Sequence, residues 1–199
     1  MQDMNPFHFA RPLFCLAAAL ALMTALAVEA CAETAEAPLR RAGAGFEFRH
    51  RPSIVDNPYC AITTYVVVDF PQQATSTMDD SGKPVIAIDA SILQSDPDYA
   101  HFLMAHECCH HTLGHVRLTS PAAVGQIGPQ PFYYIRPLLR SMELDADACA
   151  TKMLSLTHEP DAIGEAKKKM LEFGPQPTGA YYPTGTERAD GIERAAAGH

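Results

Sequence analysis

Residues 106–110 read His-Glu-Cys-Cys-His, and this run restricts the fold more than any other feature of the chain. Two histidines four positions apart share a target only on an α-helix, where they lie about 40° apart around the axis and one turn along it. The segment must therefore be helical, and anything both imidazoles hold needs a further group from another element. Glu107 projects from the adjoining face, where it reaches a water beside a shared ion rather than the ion itself, as metal-assisted hydrolysis requires. The competing reading is a pair of hydrogen-bonded core histidines on an apolar stripe.

The flanking residues support the helix. Asp96 is a capping side chain, Pro97 suits the first helical position, and Asp98 favours the positive end of the helix dipole. Tyr99, Phe102, Leu103, Leu113 and Val116 recur at helical spacing on the stripe that carries His106 and His110. Gly114, or the Thr-Ser-Pro at 119–121, ends it. Upstream, residues 46–50, 61–70 and 84–90 read as extended because β-branched residues cluster there. The Asp-Asp-Ser-Gly-Lys run at 79–83 carries turn chemistry and predicts that the last two form an antiparallel pair. Downstream, 122–137 is rich in Gly, Pro and aromatics and reads as an irregular loop over the site. Helices follow at 138–156, 161–173 and 187–197. The order, a small antiparallel sheet and then helices, is that of an α+β domain.

The third ligand separates the possible architectures. A histidine six residues after His110 would stand at Val116, and the glycine that accompanies it would stand at Leu113, so the extended three-histidine pattern fails. Glu143 is the better candidate, because Glu143 and Asp147 share a helical face and supply one metal-binding and one supporting carboxylate. His115 and Asp147 are the next candidates, and Asp145 faces elsewhere. The alternative for these acids is a solvated stripe near a helix amino terminus.

Charge and the amino terminus narrow the setting. With 23 acidic and 15 basic side chains and a net charge of −8, the 199-residue chain has no basic footprint for nucleic acid. The basic run at 167–169 reads as a solvated helix face. Residues 1–32 read as an export signal: Arg11 precedes an apolar stretch at 13–28, about 24 Å long as a helix and short of a bilayer core of about 30 Å. Cleavage after Ala30 or Ala32 leaves a flexible lead-in at 33–45 and a domain at 46–199 with no membrane span. Cys31 also sits in a faint lipoprotein box, which would anchor the exported protein. The remaining cysteines, Cys60, Cys108, Cys109 and Cys149, permit one or two disulfides in an oxidising compartment, or none. Adjacent Cys108 and Cys109 diverge on a helix, so a bridge would join Cys60 or Cys149 to one of them.

The segment 84–93, the run Met104 to His110, Gly114-His115-Val116, and Glu143-Leu144-Asp145-Ala146-Asp147 together resemble the gluzincin metallopeptidases that include the HtpX-like heat-shock proteases and the CAAX prenyl proteases. The resemblance spans about residues 57–194 and fits a small soluble, exported branch. It implies a zincin-like core, a zinc ion (Zn2+) held by His106, His110 and Glu143, and hydrolysis of a peptide or protein substrate by a zinc-bound water with Glu107 as the base. Asp147 takes the supporting place. Tyr182-Pro183 and then Arg188 stand where the family has His-Pro and a later arginine. Tyr182 is thus the first candidate for a transition-state donor, with Tyr133, Tyr134 and His158 as alternatives, and Arg188 pairs with Asp147 or holds the carboxyl-terminal segment. Val85 to Asp89 is a candidate for aligning substrate by strand addition. The rival functions are a non-catalytic zinc-binding chaperone or assembly factor and a lipid-anchored domain without metal.

Overall fold

The computed structural model describes residues 51–120, 131–177 and 181–198, with the backbone alone for 131–136. The export signal, the lead-in, the strand at 46–50, Cys31 and most of the loop at 122–137 lie outside the described residues. What is described is an α+β domain with a four-stranded mixed sheet and six helices.

The sheet contains β1 (Ser53–Val55), β2 (Thr63–Val67), β3 (Ala74–Met78) and β4 (Pro84–Asp89), in the spatial order β1-β2-β4-β3. The turn at 79–83 forms as its chemistry predicts: Asp79 Oδ1 accepts from the amides of Ser81 and Lys83 at 2.8 and 2.9 Å. The strand it joins to β4 is a different one from that expected. Ala74–Met78 reads Ala-Thr-Ser-Thr-Met, and it takes the antiparallel register Ala74↔Ile88 through Met78↔Pro84. β2 is thereby displaced to the other side of β4 and pairs parallel to it, Thr63↔Val85 through Val67↔Asp89. The predicted antiparallel pair is thus a parallel one, because an extra strand fits between the two apolar runs. With only one strongly apolar residue, β3 offers no hydrophobic signal.

Asp89 ends β4 and caps α1 (Ala90–Ser95), its Oδ1 accepting from the Ser91 amide at 2.8 Å while Oδ2 accepts from the Phe70 amide at 3.0 Å. α2 (Pro97–Thr112) begins as expected, with Asp96 accepting from the Tyr99 amide and Pro97 in the first turn. It is a central helix rather than an amphipathic surface one: every residue from Tyr99 to Cys109 except His101 is buried. β3 and β4 pack on one side of it and two later helices on the other. Leu113 does not continue the stripe. It is 44% exposed, because the helix stops there and Gly114 turns the chain with φ 77°. α3 (His115–Leu118) follows.

α4 (Pro131–Leu156) starts earlier than predicted, with Pro137 inside it rather than at its boundary. A proline removes one donor from the ladder, and here the chain winds through it. α5 (Pro160–Phe173) and α6 (Gly185–Ala197) complete the domain, the latter fastened by a reciprocal cap in which Thr184 and Glu187 satisfy each other's free amides. α6 approaches α5 closely at Gly185, where a Cβ would stand 2.0 Å from the Met170 carbonyl oxygen. Tyr99, Phe102, Ile88, Leu154, Met170 and Ile192 fill the core between sheet and helices.

Two disulfides cross this core, Cys60–Cys108 and Cys109–Cys149, each with 6.0 Å between Cα atoms. All four cysteines are bonded, and each of the adjacent pair takes a different partner, as their divergence on a helix demands. Cys109–Cys149 joins α2 to α4. Beside Cys60, the Tyr59 hydroxyl and His101 Nδ1 each lie 2.7 Å from Glu159 Oε2, which fastens the loop before β2 to α2 and to the start of α5. Disulfides of this kind persist in oxidising compartments and are compatible with export. Among the described residues no helix is long and apolar enough to cross a membrane.

Candidate metal centre

α2 and α4 run side by side, and their facing turns bring His106, His110 and Glu143 together as a group able to hold a metal ion. The Nε2 atoms of His106 and His110 are 3.0 Å apart. Glu143 presents Oε2 at 3.5 Å from His106 Nε2 and Oε1 at 3.5 Å from His110 Nε2. Ligands about 2.0–2.1 Å from a tetrahedral ion stand about 3.3 Å from one another, so the three donors already have the required spacing. The site is nearly closed to solvent from behind, with His106 3% exposed and the side chains of His110 and Glu143 12% and 14% exposed.

Behind the donors lies a buried charge network. Asp147, fully buried on α4, accepts from Arg188 Nε at 2.7 Å and from Arg188 Nη2 at 2.6 Å, the bidentate geometry that suits a guanidinium. Arg188 reaches this point from the second turn of α6 and also stands 3.7 Å from Glu143. Asp147 Oδ1 also lies 3.0 Å from His106 Nδ1, off the ideal hydrogen-bond line but in the place of a supporting carboxylate behind the ring. Both rings turn Nε2 and Glu143 turns its carboxylate toward one point, a donor set that fits a metal ion.

The electrostatics agree. Burial opposes a charge on His106, yet Asp147 and Glu143 outweigh it and raise its pKa to about 10. Burial and the charge on His106 push His110 down to about 3. The two Nε2 atoms face each other on the lone pairs that a metal ion would use, so a proton and an ion would compete for them. Burial works against the Glu143 carboxylate as well, but His106, His110 and Arg188 hold its pKa below the usual range.

Glu107 lies beside the donors, 7% exposed, and lines the same cleft. Its burial raises its pKa, and a hydrogen bond from Ser76 on β3 and the charge on His106 offset only part of that rise. The cleft, about 630 Å³, is lined by β3 with Gln72 and Gln73 and by Val116, Met142 and Phe173. Tyr182 also lines it, 42% exposed, and burial together with the charges of Glu143 and Glu107 keeps its phenol protonated.

Of the other residues singled out in the sequence, Asp145 is exposed on α4, and His158 is exposed in the turn after that helix and does not line the cleft. The side chains of Tyr133 and Tyr134 lie outside the described residues. Val85 to Asp89 cannot add a substrate strand, since β4 is paired on both sides. Among the described strands the sheet edges are β1 and β3, and β3 is the one that lines the cleft. Ser76 went unrecognised in the sequence as part of the site, because it lies in a strand without an apolar signal. His115, named there as a further ligand candidate, stands behind His110 instead, Nδ1 to Nδ1 at 3.1 Å. Compared with family models, curated proteins and solved structures, the chain finds no match.

Proposed function

We propose that the chain is a zinc-dependent endopeptidase of the gluzincin type, exported and acting on exported or cell-envelope proteins. The observation that carries this reading is the placement of a buried carboxylate, Glu107, beside three converging donors in an open cleft. Two imidazoles and one carboxylate are a donor set suited to zinc with a position left for substrate, whereas a purely structural site would more often be closed by a fourth side chain. His106, His110 and Glu143 would hold the ion. A bound zinc ion supplies Lewis acidity, which makes water a nucleophile near neutral pH.

The chain's own groups account for the rest. Glu107, with its pKa raised by burial, accepts a proton from the attacking water and returns it to the leaving nitrogen. Tyr182 offers a protonated phenol to the carbonyl oxygen as negative charge develops there. Arg188 and Asp147 keep His106 and Glu143 in place from behind. β3, an edge strand among the described residues that lines the cleft, is suited to holding an extended peptide by backbone hydrogen bonds, and so takes the role first considered for β4.

The test pairs zinc quantification with proteolysis of an unfolded protein. Wild type should bind one zinc and cleave, and Glu107→Gln should bind zinc and lose cleavage by at least a hundredfold. Hydrolysis that persists in zinc-loaded E107Q would remove Glu107 as the base. A wild type that binds zinc without cleaving would instead indicate a non-catalytic zinc protein.

A further inference from the structure

His115 occupies an unusual position. Five residues beyond His110 on an unbroken helix it would lie about 140° around the axis, facing away from the site. The helix breaks instead. Gly114 takes φ 77° and ψ 10°, a left-handed conformation that glycine adopts without steric cost, and His115 starts α3 folded back onto the end of α2. There His115 is 8% exposed, and its Nδ1 lies 3.1 Å from His110 Nδ1, with the two rings edge to face.

Two nitrogens at that distance need one proton between them. His110 uses Nε2 toward His106 and Glu143, so its proton belongs on Nδ1. Nδ1–H then donates to the Nδ1 lone pair of His115, which must carry its own proton on Nε2. The arrangement mirrors the other ligand, whose Nδ1 faces Asp147. Ligating histidines typically give their second ring N–H to a partner that sets tautomer and orientation.

We propose that His115 is a positioning residue of the metal centre, a neutral imidazole that accepts from His110 Nδ1–H and so keeps His110 Nε2 free for the ion. This rests on the reading of His106, His110 and Glu143 as a zinc site, and it gives the Gly114 turn a function. The orienting group behind His110 is an imidazole, while the one behind His106 is a carboxylate.

The test compares His115→Leu, which removes the acceptor, with His115→Asn, whose Oδ1 stands close to where Nδ1 was. Zinc affinity is measured by competition with a chromophoric chelator, and site geometry by the visible spectrum of the cobalt(II) form. H115L should bind zinc about 10–100-fold more weakly with an altered cobalt spectrum, and H115N should recover most of both. Melting temperatures of the metal-free proteins separate a folding defect from a site defect. Wild-type affinity in H115L would overturn the assignment, as would equal losses in the two variants, since an acceptor role requires rescue by Asn. A wild type that takes up no metal would overturn the metal centre itself and this assignment with it.

Discussion

Replacing Arg188 with methionine tests the network behind the site. The substitution keeps most of the apolar stem but removes two charge-assisted hydrogen bonds, at 2.7 and 2.6 Å, from the fully buried carboxylate of Asp147. Hydrogen bonds to charged groups contribute about 1.5–3 kcal/mol each, so the pair contributes about 3–6 kcal/mol. Removing one partner of a buried ion pair costs about 3–5 kcal/mol, which agrees. With a urea slope of about 2 kcal/mol/M, the unfolding midpoint should fall by about 1.5–2.5 M. The measurement is urea denaturation followed by circular dichroism with a chelator present, so that metal binding does not add to stability. Asp147→Asn in the same background should reduce the loss, because it removes the stranded charge. pH provides a second reading. Burial opposes the charge on Asp147, but Arg188 outweighs it and holds the pKa below its ordinary value. The stability this carboxylate contributes is whole above an unfolded pKa of about 3.9 and is lost as the pH falls through the lower folded value. In R188M the stranded carboxylate is relieved by protonation, so the gap between wild type and variant should narrow as the pH falls through the carboxylate range. A loss under about 1 kcal/mol at neutral pH, or a gap that widens in acid, would refute the reasoning.

Other outcomes follow from the same framework. Cys109→Ala with Cys149→Ala opens a bridge spanning 40 residues, which chain entropy values at about 4 kcal/mol. It also frees α2 from α4, so zinc affinity should fall in this variant and on reduction of wild type; reduced protein that holds zinc as tightly as oxidised would refute the coupling. Gly185→Ala drives a Cβ into the Met170 carbonyl and should cost about 1–3 kcal/mol in urea unfolding, whereas a loss under about 0.5 kcal/mol would mean α6 and α5 can separate freely. Ser76→Ala removes a hydrogen bond that lowers the pKa of Glu107, so the acidic limb of the kcat/KM profile should move to higher pH; an unmoved limb would disconnect Ser76 from the base.

The amino-acid sequence by itself determined the local geometry of the site. The cap at Asp96 and Pro97 and the four-residue spacing of His106 and His110, like that of Glu143 and Asp147, follow from the helical repeat, which neighbours along the chain impose without help. α5 and α6 were legible for the same reason. Only the tertiary structure decided which elements meet. β3 has almost no hydrophobic signal and is held by its hairpin with β4, so the parallel pairing of β2 and the edge strand at the cleft depend on contacts that no local pattern records. The disulfide partners, the reach of Ser76 to Glu107 and the closure of Arg188 on Asp147, 41 residues away, are likewise settled by packing. His115 lies between the two cases. Gly114 marks the break in the helix, but only the direction of the turn that follows puts one imidazole behind another.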